Sequence, residues 1–414
     1  MSKTRSHLRA FLTVALAAAV GCDHDAAVFN VRPADPLFRT YVAIGNSITA
    51  GYQSDGISNS TQQQSYAFLL ASQMRTRFAY PALAGRGCPP PLTNWQTGAR
   101  AGAGSTSTTC DLRTATSATD ILNNVAVPGA ASTEVNSPNS PYHNTLTTLF
   151  LGGETQVQRA TEAHPTFLSI WIGNNDVLQA AATGLVNPTS GISRGITPVA
   201  TYISNYDAML SALTAAAPNA KAILIGTVNT SAAPLLFDVA AFQNPTFLRA
   251  FSGAAGAPAG TDIFVHPNCT GSGALVSFAI LAQMKSGAHP RAIVCQKNTP
   301  GFPAPVGDIF ILDDEDQAAL TAAVNAYNAH VQAKATELGW AYADPNALIT
   351  QLRQAGCILP VPNLAASATS SPFGACVSLD GVHPSATGQA QLTNALIALI
   401  NAQYKTSLAT VTVP

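Results

Sequence analysis

The sequence predicts an α/β fold of three layers, with helices on both faces of a parallel β-sheet. Apolar runs of four to six residues alternate along the chain with longer stretches whose apolar residues recur at helical spacing. The chain has 414 residues, of which 47% are hydrophobic, so it can bury a sizeable core. Alternating strands and helices favour parallel βαβ units, whose crossover helices cover the sheet.

The short apolar runs predict the strands, and the stretches with apolar residues at helical spacing predict the helices. The predicted strands cover residues 41–44, 124–127, 167–172, 222–225 and 340–343. The predicted helices cover residues 66–77, 153–164, 198–216, 316–338 and 385–403. The third and fourth strands are joined through a predicted helix, as a parallel crossover requires. We therefore expect the carboxyl ends of the strands to meet at one edge of the sheet.

The first 22 residues have the pattern of an export signal. A basic start is followed by an apolar stretch over residues 10–20, which is too short to span a bilayer. The run Ala19-Val20-Gly21-Cys22 resembles a bacterial lipobox, although such signals usually carry Leu where this chain has Ala19. We expect residues 1–22 to be a lipoprotein signal, Cys22 to be lipidated and residues 23–37 to form a tether. Ordinary signal cleavage is the alternative.

The cysteine content agrees with export. Besides Cys22 the chain has six cysteines, and an even number in an exported chain indicates disulfides. Proximity in sequence favours three local pairs among the possible connectivities: Cys88–Cys110, Cys269–Cys295 and Cys357–Cys376. A zinc site is disfavoured, because the chain has no Cys-x-x-Cys or paired histidine spacing. The sequence therefore predicts an exported protein, periplasmic or at the cell surface, that is tethered to a membrane through a lipid.

Charge excludes other classes of partner. The formal net charge is −1 and only 10% of residues are charged, with no block of like charge. Nucleic-acid binding requires a basic surface that such a chain does not offer. Asp313, Asp314, Glu315 and Asp316 suggest calcium, but acidic residues are also favourable at the start of a helix, and we favour this second interpretation.

Two long stretches interrupt the alternation of strands and helices. Residues 85–119 are rich in Gly, Pro, Ser and Thr, and residues 229–307 contain a Gly/Ala tract. Loops of this length are usually functional or carry small elements of their own. The second insertion is predicted either to form a wall of a substrate cleft or to be a surface addition. Trp95, in the first insertion, is a candidate sugar platform, although a packing role is the stronger expectation.

Three polar motifs follow predicted strands at their carboxyl ends. Ser47 follows the first strand by three residues, Gly129 follows the second by two, and Asn175 follows the third by three. If the strands are parallel, all three residues lie at the same edge of the sheet. A fourth motif, Asp380-x-x-His383, precedes the last predicted helix. The spacing of Asp380 and His383 allows both side chains to meet in one turn.

These residue types form the inventory of an acyl-transfer site. Ser47 is a nucleophile that needs a base, His383 can be that base, and Asp380 can accept the Nδ1–H of His383 and fix its tautomer. The backbone N–H groups of Ser47 and Gly129 and the side-chain amide of Asn175 would form the oxyanion hole. The motifs are weak singly, but their joint order predicts a serine hydrolase.

The chain resembles the SGNH, or GDSL-like, hydrolase superfamily over residues 38–404, with 405–414 as a tail. The matching blocks are Gly45-Asn46-Ser47-Ile48, residues 124–129, Gly173-x-Asn175-Asp176 and Asp380-x-x-His383. Asn46 and Ile48 depart from the family's Asp and Leu. The resemblance implies a flavodoxin-like three-layer fold and serine-dependent ester hydrolysis without a cofactor. Acyl lipids, short-chain esters and acetylated glycans are all candidate substrates.

A function from another class is the alternative. The same fold could serve a lipoprotein that binds a glycan or a lipid without turnover. The complete set of catalytic side chains argues against this hypothesis, while the two long insertions argue weakly for it. The sequence leaves the acyl group, the alcohol and the oligomeric state undetermined.

Overall fold

A computed structural model of the chain describes residues 26–28, 32–102, 105–110, 121–136, 145–187, 195–302 and 309–414. The predicted signal peptide, Cys22 and parts of both insertions lie outside these residues. The strands are β1 (Ala26–Val28), β2 (Tyr41–Gly45), β3 (Arg77–Ala79), β4 (Leu92–Asn94), β5 (Ala99–Arg100), β6 (Phe167–Trp171), β7 (Lys221–Ile225), β8 (Leu236–Asp238), β9 (Phe264–Val265), β10 (Leu275–Ser277), β11 (Ala292–Ile293), β12 (Ile311–Leu312) and β13 (Ala341–Ala343).

The helices range from one turn to seven turns. They are α1 (Ser47–Ala50), α2 (Asn59–Gln62), α3 (Tyr66–Met74), α4 (Ser132–Asn136), α5 (Thr145–Leu151), α6 (Gln156–Glu162), α7 (Leu178–Thr183), α8 (Val199–Ala216), α9 (Pro245–Ala254), α10 (Ile280–Ser286), α11 (Asp314–Leu338), α12 (Pro345–Gln354) and α13 (Ala386–Tyr404). Short 3₁₀ helices cover Pro36–Phe38, Asn174–Asp176, Thr230–Ala232, Val239–Gln243 and Pro267–Cys269. None of the helices in the described residues combines the length and the apolar character that crossing a membrane requires.

The central sheet has four parallel strands in the order β13-β7-β6-β2. Side chains of a strand point alternately to opposite faces, so each strand contributes to two cores. Val42 and Ile44 of β2 pack with helices α6, α8 and α11, whereas Tyr41 and Ala43 pack with α3 and α13. Both faces are therefore covered by helices, which confirms the predicted three-layer α/β fold with a parallel sheet.

The predicted strand at 124–127 is wrong as a regular strand. The segment runs parallel to β2, and Val125 N and Val127 N donate to Ala43 O and Gly45 O at 3.0 and 3.2 Å. It forms only an isolated bridge between Asn124 and Ala43, however. The side chain of Asn124 accepts a hydrogen bond from Ala126 N at 3.1 Å, so local bonding competes with a ladder. The segment still extends the row of strand ends beyond β2.

Local chemistry sets the ends of the helices. The predicted helix 66–77 ends early, at Met74, because Arg75 adopts a left-handed φ of 54° and closes it. Asp313 caps α11 by accepting a hydrogen bond from Asp316 N at 2.9 Å, and buried Asp316 binds Lys297 Nζ at 2.7 Å. These contacts support the capping interpretation of the acidic cluster. No cluster of three or more His, Cys, Asp or Glu side chains that could hold a metal ion is present in the part of the chain that the structure describes.

The insertion at 229–307 contains small elements of its own. Its strand β8 pairs antiparallel with β10, its strand β9 pairs with β11, and β12, which follows the insertion, pairs antiparallel with the other side of β10. Phe237, Phe251 and Met284 are among the buried residues of a separate apolar cluster around them. Phe278 joins this unit to the loop before Asp380, since its ring centroid lies 5.0 Å from that of Phe373.

The first insertion packs against the second. Its hairpin of β4 and β5 places Trp95 beside Phe278, with ring centroids 6.1 Å apart. Trp95 Nε1 also donates to Ser367 O at 3.3 Å. These contacts favour packing over a sugar platform. Three disulfides join the cysteines that are nearest in sequence: Cys88–Cys110, Cys269–Cys295 and Cys357–Cys376.

Candidate active site

Three side chains from the two ends of the chain form one line of hydrogen bonds. His383 Nε2 lies 2.8 Å from Ser47 Oγ, and His383 Nδ1 lies 2.8 Å from Asp380 Oδ2. A carboxylate can only accept, so Nδ1 carries the imidazole proton and Nε2 accepts from the Ser47 hydroxyl. This is the arrangement in which a serine can lose its proton to a histidine as it attacks.

The end of β2 positions Ser47. Asn46 caps the one-turn helix α1 with its side-chain oxygen, which accepts from Ile48 N at 3.2 Å. Ser47 is therefore the first helical residue after the strand. Gly45 is required before this helix, because a Cβ there would overlap Thr49 Oγ1. The strand and the helix can pack this closely only without a side chain at position 45.

The Asp380 carboxylate is saturated with donors. Its Oδ1 accepts from Val382 N and His383 N at 2.9 Å each and from Ser378 Oγ at 3.0 Å. Its Oδ2 accepts from Asp55 N at 2.7 Å besides His383 Nδ1. Burial raises the pKa of Asp380, but the neighbouring His383 and these donors outweigh it and hold the pKa well below the usual value. Asp380 is therefore ionised throughout the neutral range.

The two remaining loops of the predicted site lie at the same sheet edge. Gly45, the last residue of β2, pairs with Trp171 of β6, and its carbonyl oxygen accepts from Val127 N. The loops that follow Trp171 and Val127 therefore begin beside Ser47. Asn175 Nδ2 donates to Ala130 O at 2.9 Å, which ties the Asn175 loop to the Gly129 loop. One amide N–H of Asn175 is engaged in this way, and the amide has a second.

Asp176 supports this pair of loops from behind. Its carboxylate accepts from Ser132 N at 2.9 Å and from Ser132 Oγ at 2.6 Å. Burial raises the pKa of Asp176 to about 6, although the hydrogen bonds from Ser132 act in the opposite direction. Asn174 makes a similar link on the other side, where its side-chain oxygen accepts from Val228 N at 3.0 Å.

Sequence reasoning missed four residues that lie around Asp380 and His383. Ser378 and Asp55 bind Asp380, and Tyr52 stacks obliquely on His383 with ring centroids 4.9 Å apart. The Arg100 guanidinium binds both the carboxylate and the backbone carbonyl of Asp55. Ser378 lies two residues before Asp380 and so had a local signal. Asp55 and Arg100 had none, because they meet the site only through tertiary contacts.

The chain is similar to one known protein family and to several solved structures. A family model described as GDSL-like Lipase/Acylhydrolase matches residues 41–396. An extracellular lipase from Streptomyces rimosus is 15% identical, with 88% of this chain and 99% of that chain covered and a TM-score of 0.34. A phospholipase A1 from Streptomyces albidoflavus is 14% identical, with 88% of this chain and 98% of that chain covered and a TM-score of 0.35. A catalytic mutant of an acetylxylan esterase from Geobacillus stearothermophilus is 10% identical, with 90% of this chain and 97% of that chain covered and a TM-score of 0.38. No curated protein matches the chain.

Proposed function

Because the chain belongs to the GDSL-like lipase and acylhydrolase family, a family of ester-hydrolysing serine hydrolases, we propose that it cleaves carboxylic esters with Ser47 as nucleophile. The observation that carries this proposal is the unbroken line of hydrogen bonds from Asp380 through His383 to Ser47. Each bond has the length that proton transfer between positioned groups requires. Esters of acyl lipids, short-chain acids and acetylated glycans are the candidate substrate classes.

In the first half of the reaction, Ser47 Oγ attacks the ester carbonyl carbon and its proton passes to His383 Nε2. The ionised Asp380 stabilises the imidazolium that forms. The carbonyl oxygen becomes an oxyanion, which accepts from Ser47 N–H, Gly129 N–H and Asn175 Nδ2. The intermediate then expels the alcohol oxygen, which takes the proton from Nε2. The alcohol leaves and the acyl group remains on Ser47.

In the second half, a water molecule attacks the acyl-enzyme. His383 Nε2 takes a proton from the water as its oxygen bonds to the acyl carbon, and the same donors stabilise the second oxyanion. Collapse breaks the bond to Ser47 Oγ, which recovers its proton from His383. The carboxylic acid is released and the site returns to its starting protonation state. No cofactor takes part in the proposed sequence.

Removing the amide of Asn175 should slow this reaction strongly. We expect Asn175→Ala to lower kcat by about 10²–10³-fold, the usual cost of one oxyanion donor, while KM changes little. Asn175→Asp is the matched variant, since it keeps the size of the side chain but replaces the donor by an acceptor. Steady-state hydrolysis of a p-nitrophenyl ester measures both. Wild-type kcat in both variants would remove Asn175 from the oxyanion hole.

Turnover itself tests the proposed function against the binding alternative. The purified mature protein is incubated with p-nitrophenyl esters and, separately, with acetylated sugars, and the acid released is measured. We expect steady turnover of at least one of the two series. A protein that binds these compounds in equilibrium dialysis but releases no acid would be the binding lipoprotein instead.

We also propose that the hydrolase domain, residues 38–404 with the tail 405–414, is exported and held on a membrane by a lipid on Cys22. The three disulfides support an oxidising compartment. Residues 23–37 would then be the tether. Labelled palmitate should enter the wild-type protein but not a Cys22→Ser variant, and the variant should leave the membrane fraction. Equal labelling of both proteins would exclude Cys22 as the anchor.

A further inference from the structure

An apolar cavity lies beside the line of hydrogen bonds that joins Asp380, His383 and Ser47. Its volume is about 90 Å³, and its lining includes His383 and Ile48, the hydrogen-bond partner and the chain neighbour of Ser47. Another part of its wall comes from helix α12, through Leu348, Ile349 and Leu352. His383 is the one ionisable side chain among the lining residues that the structure describes. The cavity therefore suits a hydrocarbon group, and it adjoins the reacting centre through His383 and Ile48 and not through Ser47 itself.

The wall of the cavity also holds an unpaired donor. Trp171, the last residue of β6, is only 3% exposed, and its indole N–H has no acceptor among the described residues. Buried donors are normally satisfied, and those that are not often mark a functional site. The nitrogen has almost no exposed surface, however, so this donor lies behind the apolar wall and does not face the occupant.

Size limits the occupant. An engineered cavity of roughly 150 Å³ accepts benzene, or roughly 25 Å³ per carbon atom, so this cavity holds about three to four carbons. We propose that the cavity receives a short aliphatic group of the ester substrate, on either the acyl or the alcohol side. This proposal rests on the proposed function, and it selects short-chain esters from the candidate substrate classes.

Two series of esters test the proposal and distinguish the two sides. One series varies the acyl chain from acetyl to octanoyl with p-nitrophenol as the constant alcohol, and the other varies a linear alcohol with acetate as the constant acid. In one series kcat/KM should rise about fourfold for each methylene that enters the cavity, and then fall for longer chains. Turnover without a length optimum in either series would overturn the proposal.

Variants of the cavity wall make the test specific. Ala233→Leu adds three carbon atoms to the wall and should shorten the optimal chain, whereas Leu352→Ala removes three and should lengthen it. Leu399→Ala makes the same deletion at a residue that is 38% exposed and does not line the cavity, and it should change nothing. An unchanged optimum in both wall variants would contradict the cavity proposal alone. Complete absence of turnover would contradict the proposed function.

A different observation concerns the turn that contacts Asp380. Gln53 and Gly56 exchange two backbone hydrogen bonds, of 2.8 and 3.1 Å, around the turn. Ser54 and Asp55 between them have φ values of 54° and 51°. Left-handed backbone at two consecutive non-glycine residues is unfavourable and persists only where other contacts impose it. Such strain at the edge of a site indicates a functional constraint.

The turn supports both oxygens of the Asp380 carboxylate. Asp55 N donates to Oδ2 at 2.7 Å. Ser54 N donates to Ser378 Oγ at 2.9 Å, and Ser378 Oγ donates to Oδ1 at 3.0 Å. Asp380 in turn sets the orientation of His383. A displacement of the turn would therefore be passed to the imidazole.

Arg100 holds this turn from the first insertion. Its Nη1 donates to Asp55 O at 2.6 Å and to Pro90 O at 2.9 Å, and its Nη2 binds the Asp55 carboxylate. Arg100 is only 8% exposed, and the Cys88–Cys110 disulfide closes the segment that carries it. We infer that Arg100 is a positioning residue, which acts on His383 through the Asp55 turn and Asp380. The described part of the insertion, residues 85–102 and 105–110, is then part of the catalytic apparatus.

Kinetics and spectroscopy separate this role from a structural one. Arg100→Ala should lower kcat by about 10–100-fold with KM nearly unchanged, because a displacement of roughly 1 Å at a catalytic group has effects of this size. Arg100→Lys, which retains a charge and donors, should recover part of the loss. The downfield proton resonance of His383 Nδ1–H should shift or broaden in the alanine variant.

The control for Arg100 is another cation bound to the same insertion. Lys285 Nζ donates to Gln96 O at 2.8 Å, away from the Asp55 turn, so Lys285→Ala should preserve both kcat and the Nδ1–H resonance. All variants are compared below their unfolding temperatures. Wild-type kcat and an unshifted Nδ1–H signal in Arg100→Ala would overturn the inference. So would an equal loss in Lys285→Ala.

Discussion

Replacing Ser47 by alanine should lower kcat for ester hydrolysis by about 10⁶-fold, the scale found when a serine nucleophile is removed from a triad. The variant loses the only atom that can form the proposed acyl-enzyme, while the oxyanion donors remain. The variant should therefore still hydrolyse the ester about 10³–10⁴-fold faster than the uncatalysed reaction in water. Binding of substrate should persist, since the cavity and the loops around it are unchanged.

Initial rates with p-nitrophenyl esters over several hours measure this loss. Ser286→Ala, at an exposed serine of α10 whose Oγ donates to Gln283 O at 3.1 Å, is the matched control and should retain the wild-type rate. Equal unfolding midpoints for the wild type and Ser47→Ala would show that the fold is intact. A Ser47→Ala variant with undiminished turnover would rule out the proposed mechanism.

Replacing Asp380 by asparagine has the second largest expected effect. The carboxylate accepts from five donors, whereas an asparagine side chain offers one acceptor oxygen and directs an NH₂ group at the others. If that NH₂ group faces His383, it stabilises the tautomer whose Nε2 carries a proton and cannot accept from Ser47. We expect kcat to fall by about 10⁴-fold with little change in KM.

The same variant should change the dependence of stability on pH. The pKa of Asp380 in the folded protein is lower than in the unfolded chain. Its ionised form therefore contributes stability above the unfolded pKa, and this contribution is lost as the pH falls through the folded pKa. The difference in unfolding free energy between the wild type and Asp380→Asn should be largest near neutral pH and smaller in acid. Urea unfolding at several pH values measures it.

Asp238→Asn provides the control for both measurements. Asp238 is exposed and accepts from Ala240 N at 2.7 Å as a helix cap, a role that asparagine fills equally well. This variant should keep the wild-type rate and stability. An Asp380→Asn variant with a wild-type rate would show that the carboxylate does not orient His383.

The sequence was sufficient for the elements of the central sheet because each carries a strong local signal. The strand expected at 41–44 is Tyr41–Gly45, and the helix expected at 316–338 is Asp314–Leu338. The small strands of the second insertion were not predicted. Strands of two or three residues, such as β9 and β11, are too short to show a period.

The site was predictable where it follows from strand ends and not where it depends on tertiary contacts. The parallel-sheet rule anticipated that Ser47, Gly129 and Asn175 share one edge, and the i, i+3 spacing anticipated the contact of Asp380 with His383. Asp55 lies 325 positions from the carboxylate it binds, and Arg100 lies 45 positions from Asp55. No periodicity links such residues. Only the folded chain reveals that the first insertion is linked to Asp380 through the Asp55 turn.

The proposed function depends on the Ser47 hydroxyl being the activated nucleophile of the Asp380–His383–Ser47 hydrogen-bond line. Its most direct test is to treat the folded protein with a fluorophosphonate, digest it and locate the phosphonate by peptide mass spectrometry. We expect one equivalent of label, on Ser47, and none in Ser47→Ala or in heat-unfolded protein. Label on another residue, or steady ester turnover by wild-type protein that takes up no label, would contradict it.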